Sequence, residues 1–298
     1  MDAIRVLARR GEIVEAVHLV HAVAVQEGKV VASAGDPQLV TYLRSSAKPF
    51  QALELVRARD DVDDADVAIS SASHRAQPPQ VAAVRALLSK AGVHEEDLEC
   101  GSQEGRPRGR VYHNSSGKHA GMLATCRARG WPTRGYRLPG HRMQRANGAD
   151  VAAAAGVDED SVPRATDGCG VVTWALPLER MARMFSVFES TVEGRRVADA
   201  MRSRPELIAG DGATDTEWMR ALEGFAVKGG AEGLICGAGR EGLGVALKCE
   251  DGAYRALRPA VAAFLSALGL ELPDFREVIV HNSRGEPAGR LEVSHSKT

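Results

Sequence analysis

No stretch of this sequence approaches the ~18 consecutive apolar residues that a membrane-crossing helix needs. The opening residues MDAIRVLARRGEIVEAVHLV carry charges where a secretory leader has an apolar segment. There is no excess of either sign: 38 Lys and Arg face 39 Asp and Glu, for a net charge of -1. That excludes the basic footprint of a nucleic-acid binder. Cysteines number five, an odd count, and are widely spaced at 100, 126, 169, 236 and 249. They do not form the even framework of a disulfide-stapled secreted domain, and reduced thiols in a cytoplasmic protein are the expectation. Aromatic residues are scarce at 4%, while Ala, Gly and Arg are frequent. That pattern reflects a GC-rich genome and excludes no function.

Strand-like segments sit at both ends of the sequence. IVEAVHLVHAVAV is rich in β-branched residues, QEGK turns, and VVASAG returns. Near the other end, FAVKGGAEGLICGAG and LGVALKCEDGAYRAL read as strands with glycine-rich turns, and EVIVHNSRGEPAGRLEV reads as a hairpin. Between them, PFQALELVRARD, QPPQVAAVRALLSKAGV, GKHAGMLATCRARG, HRMQRANGADVAAAAGV, LPLERMARMFSVFES, EGRRVADAMRSRP and TEWMRALEGF have helical character. RPAVAAFLSALGL adds a helix before the last hairpin, and residues 101–116 have no period and read as an ordered loop. ADVAISSASH reads as a buried segment that opens into a loop. No linker or repeat divides the chain, so residues 1–298 are expected to form a single domain. The arrangement this predicts is an α/β fold with one antiparallel sheet built from both termini and covered by the central helices.

Five clusters of small residues beside ionisable groups stand out: RSSAKP at 44, SSASH at 70, HNSSGKH at 113, TDGCG at 166 and VKGGAEG at 227. Small residues admit a ligand close to the backbone. Five such clusters across the chain predict a site assembled from several loops. Ser45 and Lys48 lie three apart at a helix start, so their side chains share a face. A serine hydroxyl needs a base, and a lysine is neutral in only about one in ~2,500 molecules at pH 7 unless burial or nearby cations lower its pKa. Pro49 disfavours helical geometry at Lys48, which places the pair on a tight turn ahead of the helix. Taken alone, S-x-x-K reads first as a serine N-cap with a solvated lysine. The order S-x-x-K, then Ser73, then Lys228 in K-x-G resembles that of serine β-lactamases and penicillin-binding proteins. The match is loose, because Ser73 follows Ser45 by few residues and KGG lacks a middle threonine.

A closer likeness joins RSSAKPFQA, SASH, HNSSGKHAGML, TDGCG with ALPL, and KGGAEG. Together these resemble the L-asparaginase II family of the Rhizobium etli inducible type, from about residue 10 to the C-terminal hairpin. The resemblance implies a serine β-lactamase-like fold, a homodimer, and hydrolysis of L-asparagine to L-aspartate and ammonia. It implies two Ser-Lys tandems, Ser45 with Lys48 and Ser73 with Lys228. Arg44, Lys118 and Asp167 match polar groups around the substrate. The chemistry of a zwitterionic amide agrees: a cation (Arg44 or Lys118) for the carboxylate, Asp167 for the ammonium, and Ser45 with Lys48 as base for the amide carbon.

The sequence departs from that family at Ser115, where a cysteine is usual and where, with Lys118 and Cys169, it holds zinc beside the substrate. A hydroxyl is a far weaker zinc ligand than a thiolate, so no metal and no cofactor is expected here. Ser71 likewise stands where a cysteine is common. Two other readings stay open: a β-lactamase-like acylase on a different amide or ester, and a catalytically weakened homologue that binds an amino acid. Elsewhere, Cys169 is read as pocket-lining or buried, and His74, His113 and His119 as structural. His18 and His21 are read as edge-strand residues, DDVDDAD as a solvated loop or helix cap, and GAGREGLG as a turn without nucleotide-binding spacing.

Overall fold

The computed structural model describes residues 1–294. The N-terminal segment forms β1 (Ile4–Arg10), β2 (Ile13–Gln26) and β3 (Lys29–Ala34). Glu27 and Gly28 join β2 to β3 with φ of 50° and 74°, the left-handed pair that matches strand twist in a two-residue hairpin. After β4 (Val40–Tyr42) the chain enters helices α1 (Lys48–Gln51), α2 (Leu53–Ala58), α3 (Asp64–Ser70), α4 (Pro78–Ala91), α5 (Ser116–Arg129) and α6 (Arg142–Ala155). Strands β5 (Arg164–Thr166) and β6 (Val172–Pro177) follow, then helices α7 (Leu178–Ser186), α8 (Val192–Ser203), α9 (Pro205–Ile208) and α10 (Thr214–Ala221). The chain returns to strand in β7 (Ala226–Gly230), β8 (Leu234–Ala238) and β9 (Gly244–Cys249), crosses α11 (Leu257–Ser266), and ends with β10 (Glu277–His281) and β11 (Pro287–Val293).

The large sheet runs β10-β11-β1-β2-β9-β8-β7, with β3 paired to the far half of β2. All its pairings are antiparallel, and Val6 lies opposite Val293. The sheet is therefore built from both termini, as the strand-rich ends of the sequence predict. Strands β7, β8 and β9 are buried along their whole length. Because neighbouring side chains point to opposite faces, that part of the sheet is covered on both sides. Helix α7 packs across β2, β8 and β9, while α11 packs across β1, β9, β10 and β11.

A small second sheet, β4-β6-β5, has no counterpart in the sequence reading. Its outer strands have three residues each, too short to show a period. β6 is apolar and runs directly into α7, so it merges with the helical pattern. The buried segment at ADVAISS is helix α3. The acidic run before it caps that helix: the Asp63 carboxylate accepts from the N–H groups of Ala65 and Asp66, and the Asp66 carboxylate accepts from Asp63 N–H. The histidines of β2 are a correction. β2 lies between β1 and β9, so His18 and His21 are interior rather than edge residues, 5% and 7% exposed. Alternation alone gives a strand's faces but not its neighbours.

Helix α5 approaches α3 so closely that a Cβ on Gly117 would collide with the Ile69 carbonyl. The Gly117→Ala change should destabilise the protein by about 1–3 kcal/mol, the usual range for overpacking. A urea midpoint equal to that of the parent would disprove this close contact.

Candidate active site

Ser45 and Lys48 are positioned by an abrupt change of direction. Leu43 leads into a single 3-10 turn, Arg44–Ala47, which passes straight into α1. Arg44 has φ of 48°, a left-handed conformation costly for a residue with a side chain. It is held there at both ends: its N–H donates to Thr173 Oγ1 at 3.1 Å, and its Nε donates to Asp167 Oδ1 at 2.6 Å. In a 3-10 turn residues i and i+3 eclipse, so Ser45 and Lys48 share a face as the spacing predicts. Lys48 itself is helical despite the following proline (φ -60°, ψ -38°). The proline occupies the first turn of α1, where no N–H is required.

The Lys48 amine is fully buried. It donates to the Ala72 carbonyl at 2.6 Å and to Ser73 Oγ at 2.9 Å. Burial, and after it the positive charges of Lys118 and Lys228, hold its pKa well below the ordinary lysine value, against weaker opposition from Cys169 and Asp167. The amine thus meets the physical requirement for a base. Its direct partner is Ser73. Ser45 Oγ has no hydrogen-bond partner among the described residues.

Lys228 on β7 is 1% exposed and points at a carboxylate rather than at Ser73. Its Nζ donates to Asp215 Oδ1 at 3.2 Å and to the Gly229 carbonyl at 2.8 Å. Asp215 also accepts from Gly229 N–H and, at 2.8 Å, from the Tyr254 hydroxyl. Burial works to raise the Asp215 pKa, but Lys228 and these two donors outweigh it and keep it below the usual value. Tyr254 is pushed far up by burial and by the Asp215 charge. Glycine at 229 follows from this network, because a Cβ there would strike the Tyr254 hydroxyl.

A second charged group lies beyond Ser45. The buried Lys118 ammonium donates to Cys169 Sγ at 3.0 Å. Burial alone would raise the Cys169 thiol, yet Lys118 brings it below its ordinary value. Asp167 is likewise lowered, by Lys118 and by Arg44, against burial. Ser115 Oγ donates to Asn114 Oδ1 at 2.8 Å. The residues at the family's zinc position therefore offer one thiol already bound to an ammonium and one hydroxyl turned to an amide. That donor set does not fit zinc, which requires thiolate, imidazole or carboxylate ligands.

Two cavities flank Ser45. One, of about 230 Å³, is lined by Ser73, Arg75, Asp215, Lys228 and Tyr254 among others. The other, of about 340 Å³, is lined by Arg44, His113, Ser115, Asp167 and Cys169. Ser45, Asn114 and Ala231 border both, so the serine stands where two lobes of one cleft meet. Lys48 and Lys118 lie buried behind the lining. All eight residues singled out from the sequence (Arg44, Ser45, Lys48, Ser73, Ser115, Lys118, Asp167 and Lys228) thus either line the two lobes or bond to a residue that does. Asp215, Tyr254 and Arg75 were not foreseen. Asp215 and Tyr254 sit in segments that read as ordinary helix and turn, and their only signal is spatial.

The histidines near the cleft are buried and neutral. His74 Nδ1 accepts from Ala76 N–H at 3.1 Å, which assigns the proton to Nε2, donated to Ser116 Oγ at 2.8 Å. Burial and then Lys48 push His74 down to about 3, and burial, Lys48 and Lys118 push His113 down to about 4. His119 is held well below the usual value by burial and Lys118, and its Nδ1 meets the Tyr136 hydroxyl at 2.7 Å.

The sequence profile of the L-asparaginase II family matches residues 6–293. No curated protein sequence matches the chain. Among solved structures, Mglu in its native form is 14% identical, with a TM-score of 0.51, covering 86% of this chain and 62% of that one. Mglu in its L-glutamate binding form gives the same values: 14%, 0.51, 86% and 62%. A β-lactamase from Mycobacterium bovis is 16% identical, with a TM-score of 0.33, covering 78% of this chain and 87% of that one. At these identities the likeness to Mglu is one of fold, and this chain spans about 62% of the length of those Mglu structures.

Histidines held neutral in the folded protein take up protons on unfolding. Their folded pKa is depressed, so their contribution is complete above pH 6.5 and declines as pH falls toward about 3. Each fully buried histidine adds a slope of about 1.4 kcal/mol per pH unit in that window. Urea unfolding at pH 7, 6 and 5 should show stability falling, and His74→Gln should remove one proton's worth of slope. An unchanged slope in that variant would contradict the neutral assignment.

Proposed function

The chain belongs to the L-asparaginase II family, and we propose that it hydrolyses L-asparagine to L-aspartate and ammonia through Ser45, with Lys48 as base. The observation that carries this reading is the fully buried Lys48 amine, its pKa held well below the ordinary lysine value by burial and two neighbouring lysines, on the same face of a turn as a serine that opens onto both lobes. Ser45 Oγ attacks the amide carbon as its proton passes to Lys48. The same proton then goes to the departing nitrogen, and ammonia leaves an aspartyl ester on Ser45. Water, activated by the again neutral Lys48, releases aspartate. The Lys48 to Ser73 hydrogen bond fixes the amine and offers a relay for the proton.

The lobe with Arg44 and Asp167 suits the amino-acid end of the substrate. The Arg44 fork, whose Nη1 lies only loosely against Glu232 at 3.9 Å, takes the carboxylate, and Asp167 Oδ2, which accepts a long contact from Cys169 Sγ at 3.7 Å, takes the ammonium. Lys118 acts from behind the lining, by holding Cys169 and by its charge. Ser45 and Ala231, which border both lobes, supply the backbone N–H groups for the developing oxyanion. Lys228, fixed by Asp215, adds positive potential and helps to discharge Lys48. The protein is expected to work as a homodimer in the cytoplasm.

One observation favours a second reading in which Ser73 is the nucleophile: its hydroxyl, and not that of Ser45, bonds Lys48 directly. Ammonia release from L-asparagine separates the two. Ser45→Ala should lower kcat by at least ~10³-fold and Ser73→Ala by less, a scale typical of lost nucleophiles. The reverse ranking would transfer the role to Ser73, and full turnover by Ser45→Ala would end the proposal. Release of ammonia from other amides, or opening of a β-lactam in preference to asparagine, would mark a broader acylase.

A base must be neutral to act, so kcat/KM should rise with pH through the folded pKa of Lys48 and level off above it. That limb should lie well below the ordinary lysine range. Removing a neighbouring cation with Lys118→Met should move the limb to higher pH, because one lowering charge is gone. A limb that stays in place on this change would show that Lys48 is not the titrating base.

A further inference from the structure

A second cluster of ligand-type side chains lies outside the cleft, where β2 meets the end of β9. Val20 pairs with Cys249 across these strands, so the two side chains share a face. His18 is two residues from Val20 and Asp251 two residues from Cys249. The period of two brings all three side chains to the same side. Contacts bear this out: His18 Nδ1 donates to Asp251 Oδ2 at 2.6 Å, and Cys249 Sγ donates to Asp251 Oδ1 at 3.0 Å. The three donor atoms lie within 4.8 Å of one another, and no other trio of His, Cys, Asp or Glu does so among the described residues. His18 and Cys249 are buried, while the Asp251 carboxylate is half exposed and leaves a route in from solvent.

We propose that His18, Cys249 and Asp251 form a site for a divalent cation of the zinc class, with water as fourth ligand. The set contains one nitrogen, one sulfur and one oxygen, a combination zinc accepts in tetrahedral geometry. Zinc bond lengths put neighbouring ligand atoms about 3.3–3.6 Å apart. The hydrogen-bonded trio is slightly tighter, so a small outward shift admits the ion. The ion takes the place of two protons: the one on Cys249 is released, and the one on His18 Nδ1 is released while Nε2 gains another from water. Net uptake of one M²⁺ therefore frees one thiol proton, and the thiolate and carboxylate balance the charge. Arg255 opposes binding. Its Nε donates to His18 Nε2 at 3.1 Å, a contact that must open when Nε2 becomes protonated. Arg255 is exposed and free to turn outward. Bound metal would tie β2 to the end of β9 behind the β7–β8 turn, since Gly233 of that turn packs against Cys249.

The test is titration of the metal-free full-length protein with Co²⁺ alone, read by its thiolate charge-transfer band, and competition with Zn²⁺ alone. One equivalent should bind with a thiolate signal that zinc removes. Cys249→Ala should abolish the signal and Cys169→Ala should leave it intact, which also separates this site from the family's zinc position. Asp251→Asn, at a half-exposed side chain, serves if Cys249→Ala does not fold, and should weaken binding by about 10–100-fold. Arg255→Ala should tighten it by about tenfold. No thiolate band in the parent, one that persists in Cys249→Ala, or Co²⁺ binding by Asp251→Asn as tight as by the parent would overturn the proposal. Because ammonia release does not enter these readouts, the result stands apart from the reaction proposed above.

Discussion

The architecture around the cleft depends on one constraint: an amine fully buried beside two other lysines, where burial and their charges both disfavour its protonated form. Lys48 is that group. Its burial is the larger influence, and the charges of Lys118 and Lys228 add to it. Those two cations must themselves be tolerated in the interior, and each has found an acidic partner. Lys118 rests on the Cys169 sulfur and Lys228 on the Asp215 carboxylate. Partners of this kind offset the cost of burying charge. The result is a graded set in which two lysines are matched to acidic partners and the third, Lys48, gives up its proton most readily.

The backbone has been bent to the same end. Arg44 occupies a conformation its side chain disfavours, and two bonds to the small sheet and its neighbouring loop hold it there. The sheet that the sequence reading missed therefore has a role: it anchors the turn that presents Ser45. Strand β7 contributes from the other side. Its glycines let Tyr254, Asp215 and the 3-10 turn come close.

Much of the fold was legible because its signals are local. The β2–β3 hairpin announces itself by Glu27-Gly28, α4 by its leading prolines and by Gly92, and the terminal hairpin by its turn. What stayed hidden is non-local. The three-residue strands β4 and β5 exist only through pairing with β6, and the interior position of His18 and His21 depends on β9, more than 200 residues away. The same division holds for the site. Clusters of small and ionisable residues marked the loops that converge. The bonding partners did not follow from spacing: Lys48 meets Ser73 behind the cleft lining, and Lys228 turns to an aspartate in a helix with no distinguishing pattern.

One feature of the cleft bears on product release in the proposed reaction. Each lobe pairs a cation with an anion, Arg44 with Asp167 and Lys228 with Asp215, which cancels much of the positive charge the walls carry, while Arg75 still borders one lobe. The proposed deamidation would convert a neutral zwitterion into a species with an extra negative charge. A strongly positive chamber would retain that species, and departure would become the slow step. Ion-paired walls instead weaken that pull, which would favour egress of the product and keep the chamber open to the next molecule.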